Sequence, residues 1–196
     1  SVTGASAFNA LAHSVESLYA TGCNPITTAI ALEGIRAINL SLPVVMSSSK
    51  NIEARAQLLY GAAMSGISLG DTSAGFHHKI CHVLGGAFGL VHADAHSVVL
   101  PHAIAFNAPV LPFEMAQLAH ALDCRQNDVA GSLWDLAKRS GIPSSLAQLG
   151  LHRENLAEVA TRAAAEIRTN PRNFDAASIE LLLQGAFDGV RPLATN

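Results

Sequence analysis

Charged and aromatic side chains are scarce in this sequence. Charged residues make up 14% of the 196 positions and aromatic residues 5%, and the formal net charge is −3. Without a run of lysine or arginine, the chain lacks the basic surface that binds nucleic acid or an anionic membrane. We therefore expect neither nucleic acid nor a membrane among its partners.

Long apolar runs and paired cysteines are also missing. The most apolar stretches, residues 26–42 and 98–110, are interrupted by charged or amide side chains and histidine, so the sequence predicts no transmembrane helix. Cys23, Cys81 and Cys124 lie far apart and form no disulfide framework, which favours a reducing cytoplasm. Because the first residue is Ser1, we expect the chain to be a fragment of a longer protein.

The alternating pattern of β-strands is almost absent, and the spacing of apolar residues favours helices. We predict an all-α fold, with residues 1–196 forming one helical domain. Asn24 and Pro25 are typical of a helix start, and Pro43 is expected to end or kink that helix. The predicted helices cover about 6–20, 25–43, 51–68, 72–84, 94–106, 114–122, 128–140, 153–168 and 175–187, with Gly61 and Gly66 permitting close packing of the third.

Several nucleotide and metal motifs are absent. The glycines at 85, 86 and 89 have neither the Gly-x-Gly-x-x-Gly spacing nor the Lys-Ser/Thr ending of a phosphate-binding loop. A zinc peptidase needs Glu directly after the first histidine of its His-x-x-x-His pair, where this chain has Lys79. The chain therefore has no complete nucleotide-binding motif, and a zinc peptidase is disfavoured.

Histidines are concentrated in one segment: six of the nine fall between residues 77 and 102. His78 and His82 are four residues apart, so a helix projects both from one face, and His92 follows a short glycine turn. Asn9 and His13 show the same spacing on a separate predicted helix. Clustering favours a functional site for the set. The spacing of three further histidines does not distinguish them from polar groups on a helix surface, and we assign them a structural rather than a functional role: His77, His96 and His102. Lys79 is equally compatible with a solvated charge and with attraction of a carboxylate.

The segment 75–86, read GFHHKICHVLGG, followed by His92 and Leu100-Pro101, resembles the histidine signature of iron-containing alcohol dehydrogenases. The opening segment from Thr3-Gly4 to Glu16 resembles the upstream motif of the same family. The resemblance implies the C-terminal helical domain of the iron-containing alcohol dehydrogenase and dehydroquinate synthase-like fold. It also implies a preceding Rossmann-like nucleotide-binding domain that is absent from this chain, with catalysis in the cleft between the two.

In that family the metal-ligand positions correspond to Asn9, His13, His78 and His92 of this chain, and His82 lies near the nicotinamide and substrate. The first of these positions is an aspartate in the metal enzymes and Asn9 here. An amide oxygen is neutral and binds a divalent ion less strongly than a carboxylate. This departure resembles the maleylacetate reductases, a metal-free branch that uses NADH or NADPH to reduce the C=C bond of maleylacetate to 3-oxoadipate during aromatic compound degradation.

We hypothesise roles for individual residues from the chemistry of imidazole, which can donate a proton near neutral pH. His82 is the predicted proton donor and contacts the cofactor, while His78 and His92 complete the catalytic set. Asn9, His13 and Lys79 are predicted to bind a small anionic substrate. The family also implies a cytoplasmic homodimer. Two alternatives stay open: a metal-dependent alcohol dehydrogenase with iron or zinc at these positions, and an isolated helical domain with a structural or dimerisation role.

Overall fold

The computed structural model describes residues 2–72 and 75–193, and these residues form helices and connecting turns without a β-strand. The all-α prediction is confirmed. The α-helices are α1 (Val2–Ser17), α2 (Pro25–Ser47), α3 (Ile52–Gly70), α4 (Phe76–Phe88), α5 (His92–Asn107), α6 (Pro112–Leu122), α7 (Val129–Arg139), α8 (Leu156–Glu166) and α9 (Ala176–Asp188).

Local signals in the sequence set the starts of several helices. The Asn24 side chain accepts hydrogen bonds from the backbone N–H groups of Ile26 and Thr27, at 3.0 and 3.2 Å, and so caps α2 as predicted. Pro43 does not end α2, which continues to Ser47. Although Pro43 has no N–H to donate, neighbouring residues such as Leu42 are fully buried, and their packing holds the helix together.

Two hydrophobic cores meet at α5. The first is formed by α1, α2, α6 and α7, and it receives Leu100 and Ile104 from α5. The second is formed by α4, α8 and α9, and it receives Val98, Val99 and Ala103 from α5. Because α5 contributes to both cores and packs against α1 and α4, it holds these two helices in fixed positions on either side of it.

Glycine lets α2 and α3 approach closely at one point. A Cβ added to Gly61 would lie 2.7 Å from Ile38 Cγ1 and 3.1 Å from the Gly34 carbonyl oxygen, so only glycine fits there. The close packing predicted for Gly61 is confirmed. The same prediction is wrong for Gly66, since a Cβ there would meet nothing within 4 Å.

Helix α2 is long and apolar enough, by length and composition alone, to cross a membrane. Its inner face, including Ile35, Ile38 and Leu42, is buried in the first core. On its outer side Arg36 pairs with Glu33 at 2.7 Å. A core helix of a folded domain meets the same criterion, so one such helix is weak evidence for a membrane span, and its position in the core accounts for its apolar composition.

Candidate functional site

Helices α1, α4 and α5 bring six histidines into one continuous cluster. His13 comes from α1, three come from α4 (His77, His78 and His82), and two come from α5 (His92 and His96). Their rings form a chain of contacts: the ring centroids are 4.8 Å apart for His13–His78, 4.6 Å for His78–His96, 4.3 Å for His92–His96 and 5.5 Å for His82–His92. We call these six residues the histidine cluster.

The turn between α4 and α5 aligns the two halves of the cluster. The sequence predicts that α4 stops at Gly85-Gly86, but the helix continues to Phe88 and ends at Gly89, whose φ of 70° is left-handed. Gly85 and Gly86 therefore lie within the last turns of α4, and a Cβ at Gly85 would approach His92 Nδ1 to 3.8 Å. The chain reverses at Gly89 because glycine adopts a positive φ without steric cost.

The histidine cluster runs from the surface into the interior. His82 and His92 are exposed, His13 is partly buried, and His78 is 3% exposed. His77 and His96 are fully buried and His102 is 8% exposed, so none of these three histidines lies on a helix surface. They face inward because α4 and α5 pack against each other. His82 and His92 therefore form the solvent-exposed end of the cluster.

Glu16 is a site residue that the sequence analysis did not single out. It lies on α1, seven residues after Asn9 and three after His13, so the helical repeat places all three on neighbouring parts of one face. The carboxylate is 2% exposed and pairs with His78 Nδ1. It also accepts a 2.7 Å hydrogen bond from the backbone N–H of His77. The three-residue spacing between His13 and Glu16 was the feature of the sequence that could have identified Glu16 as a site residue.

Burial makes the cluster histidines weaker bases. Desolvation by burial, followed by the neighbouring His78, lowers the pKa of His13 to about 4 despite the opposing charge of Glu16. Desolvation likewise lowers the pKa of His77 to about 3 and lowers the pKa values of His82, His92 and His96. These five imidazoles are therefore mainly neutral at neutral pH, and the pocket does not hold five fixed cations.

Asn9 and Lys79 border the cluster without bonding to its rings in the described residues. The Asn9 side-chain oxygen is buried and has no hydrogen-bond partner within the described part of the chain. A buried acceptor without a hydrogen bond lowers the free energy of unfolding by about 1–3 kcal/mol, and a ligand that donates a hydrogen bond to it would offset that loss. Lys79 is partly buried, and its charge is close enough to contribute to the lowered pKa of His82, after burial and the neighbouring histidines.

The donor set at the family's metal positions fits a divalent ion poorly. Among the described residues, two sets of three potential ligand atoms lie within 4.8 Å of one another, Glu16–His77–His78 and His77–Cys81–His96, and neither includes His13 or His92. Hydrogen bonds explain why the atoms of each set lie close together. Glu16 accepts from its partners in the first set, and in the second His77 Nε2 lies 3.3 Å from the His96 carbonyl oxygen. Of the four family positions, His13 and His92 lie outside both sets and Asn9 supplies no charge, so these positions do not offer a divalent ion a convergent, charged ligand set.

Comparison with known proteins agrees with this arrangement of helices and histidines. Residues 3–187 match the family described as Fe-containing alcohol dehydrogenase family, C-terminal. The chain therefore belongs to the iron-containing alcohol dehydrogenase family, as its C-terminal helical part.

The relatives include maleylacetate reductases. The enzyme of Burkholderia cepacia is 45% identical over 191 residues, covering 97% of this chain and 54% of that protein. The crystal structure of maleylacetate reductase from Agrobacterium tumefaciens has a TM-score of 0.92 at 43% identity, covering 96% of this chain and 53% of the other. An iron-containing alcohol dehydrogenase from Corynebacterium glutamicum has a TM-score of 0.90 at 35% identity, with coverages of 96% and 52%. The chain spans about half the length of the curated relatives that it matches.

Proposed function

We propose that this chain is the helical catalytic domain, residues 1–196, of an NADH- or NADPH-dependent reductase that converts maleylacetate to 3-oxoadipate in aromatic compound degradation. Similarity to maleylacetate reductases at 40–45% identity over nearly the whole chain supports the reaction. The observation that carries the proposal is Asn9. Its neutral side-chain oxygen is buried without a hydrogen-bond partner in the described residues, and its position in the sequence resembles that of the aspartate ligand of the metal enzymes.

The charge at Asn9 matters because the substrate is a dianion. A carboxylate at this position would repel the substrate's own carboxylates, whereas an amide offers a hydrogen-bond donor. Neutral imidazoles likewise offer N–H donors. We assign substrate binding to Asn9, His13 and Lys79, with Lys79 supplying the positive charge.

Reduction of the C=C bond requires a hydride and a proton. A bound nicotinamide cofactor supplies the hydride, which adds to one alkene carbon and leaves an enolate. We assign the proton donor to His82, whose exposed ring also reaches the cofactor side, and the binding of enolate and carboxylate oxygens to His78 and His92. The lowered pKa makes His82 a stronger acid. It carries its proton when a substrate carboxylate lies beside it, because a nearby negative charge favours the imidazolium.

The exposed end of the histidine cluster is the proposed contact with a preceding nucleotide-binding domain of Rossmann type. His82 and His92 are exposed in this chain, and a second domain over them would exclude water from the hydride transfer. We further propose a homodimer located in the cytoplasm. The three free cysteines, Cys23, Cys81 and Cys124, support a reducing compartment.

Replacing His82 in the full-length protein tests the site assignment. We expect His82→Ala to lower kcat for maleylacetate reduction by about 10²–10⁴-fold, the range typical of a lost general acid. His102→Leu is the control because His102 is buried on α5 and its ring makes no contact with the cluster rings among the described residues. Equal losses in both variants, or no loss in His82→Ala, would remove His82 from the mechanism.

Metal analysis separates the proposed reductase from a metal-dependent alcohol dehydrogenase. We expect full-length protein treated with a chelator to keep its maleylacetate reductase activity. Stoichiometric iron or zinc together with loss of activity on chelation would instead establish the metal enzyme. Should the full-length protein neither reduce maleylacetate nor bind NADH or NADPH, a structural or dimerisation role would replace the enzymatic one.

A further inference from the structure

Helix α4 begins without a cap of its own. Its N-cap residue is Gly75, which has no side chain to accept hydrogen bonds from the first turn. Glu16 of α1 does so instead: one carboxylate oxygen accepts from the His77 N–H at 2.7 Å and the other accepts from the His78 N–H at 3.4 Å. A Cβ at Gly75 would lie 2.9 Å from Glu16 Oε1, so glycine here leaves room for the carboxylate.

The same carboxylate bonds to the His78 side chain. Glu16 Oε2 contacts His78 Nδ1, and both residues are buried. Burial alone would raise the pKa of Glu16, but the hydrogen bonds that it accepts from the His78 ring and from the His77 backbone N–H lower it overall. A helix N-terminus also favours negative charge. Glu16 is therefore an ionised acceptor, and the hydrogen it shares with His78 is on Nδ1.

The opposite nitrogen of His78 is left for a ligand. His78 Nε2 is buried and has no hydrogen-bond partner within the described part of the chain. The ring itself is held in place by stacking on His13, with an interplanar angle of 19° and a centroid distance of 4.8 Å. The Glu16 carboxylate holds the edge of the His78 ring at Nδ1, and His13 packs against the face of that ring. Together these contacts set the direction of Nε2 before a ligand binds.

We propose that Glu16 is a positioning residue, which holds the resting proton of His78 on Nδ1, so that a proton taken up with the anionic substrate lies on Nε2 and is donated to a substrate oxygen. The link to turnover rests on the proposed reductase function, while the position of the proton does not. Glu16 has two roles in this proposal. Its carboxylate caps the first turn of α4, and it sets the tautomer of His78, the third residue of that helix. A hydrogen bond to the second ring nitrogen commonly sets the tautomer of functional histidines in this way.

Glu16→Gln in the full-length protein tests this role. The amide oxygen of the new side chain still accepts from the His77 N–H, so α4 keeps the shorter of its two cap bonds, while the 3.4 Å bond from the His78 N–H is lost. Its NH₂ group now faces His78 Nδ1 and donates to it, which moves the ring proton to Nε2. Nitrogen-15 NMR of histidine-labelled protein reports the tautomer directly. We expect Nδ1–H in the wild type and Nε2–H in Glu16→Gln. Because a ring whose Nδ1 accepts from the amide does not take up a second proton for the substrate, we expect kcat to fall by about 10–100-fold with a smaller change in KM.

Glu53→Gln is the matched control. Glu53 is also an acidic residue in the first turn of a helix, but it lies on the exposed surface of α3. We expect no change in tautomer or kcat in this variant. A Glu16→Gln protein that folds and retains Nδ1–H on His78 would overturn the proposal and leave Glu16 as a helix cap only. If the wild-type protein does not reduce maleylacetate, the proposed function fails, and the NMR result still decides the tautomer assignment.

Discussion

His102 is expected to make the folded protein sensitive to acid. It lies on α5, is 8% exposed, and its Nε2 is buried without a hydrogen-bond partner in the described residues. Burial lowers its pKa from 6.5 to about 4. The folded state therefore resists protonation of His102, whereas the unfolded state accepts the proton at its ordinary pKa. As a result the contribution of His102 to stability is complete above about pH 6.5 and is lost as the pH falls toward about 4.

The size of this effect follows from the two pKa values. A difference of one pKa unit corresponds to ~1.4 kcal/mol, so protonation linked to His102 removes ~3 kcal/mol in full and ~2 kcal/mol by about pH 5. In His102→Leu the ring nitrogen is gone and the site stays apolar. Between about pH 8 and pH 5, we expect the free energy of unfolding to fall by ~2 kcal/mol less in this variant than in the wild type.

Urea unfolding of the full-length protein at both pH values, followed by circular dichroism, measures this difference. The other buried histidines titrate in both proteins, so comparison of the two slopes isolates His102. His152→Leu makes the same replacement at an exposed position and should keep the wild-type slope. Identical pH dependence in wild type and His102→Leu would refute the argument that burial holds His102 neutral.

Two further predictions concern packing and metal binding. Gly61→Ala places a Cβ 2.7 Å from Ile38 Cγ1 and should lower the free energy of unfolding by about 1–3 kcal/mol, while Gly66→Ala meets nothing within 4 Å and should raise it by up to ~1 kcal/mol. Urea titration of both variants checks the contrast, and equal effects would contradict it. Asn9→Asp introduces a carboxylate four residues before His13. We expect calorimetry to show an affinity for zinc that is at least about tenfold higher, together with slower maleylacetate reduction. Unchanged zinc binding would show that the charge at position 9 does not govern metal binding.

The sequence was sufficient to predict the helices and four of the six histidines of the cluster, namely His13, His78, His82 and His92. Asn24 and Pro25 identified the start of α2, and the spacing of His78, His82 and His92 correctly placed them together. Their individual chemical roles remain predictions. The end of α4 was predicted too early because Gly85-Gly86 is a frequent helix stop, whereas the left-handed position is Gly89. That conformation depends on how the chain reverses between two packed helices, which local propensity does not determine.

Burial was the property that could not be predicted from spacing. His77 directly precedes His78 and points into a different environment, and His96 lies on a helix with no polar face to reveal its direction. Glu16 was missed for a related reason. Its partners are the backbone N–H groups and the side chain at the start of another helix, 61 and 62 residues away in sequence. Contacts of that kind arise only once α1 and α4 are packed together.

The lowered pKa values change the physical interpretation of the site. The sequence analysis predicted that a small anionic substrate binds beside the histidines, but burial lowers the pKa values of His13, His77 and His96 enough that each is neutral in the free chain. An ionised Glu16 beside His78 adds a negative charge at the inner end. Attraction of a dianion must then come from Lys79, from N–H donors and from protons taken up as the substrate binds. Substrate binding should accordingly strengthen at lower pH, within the range where the fold persists.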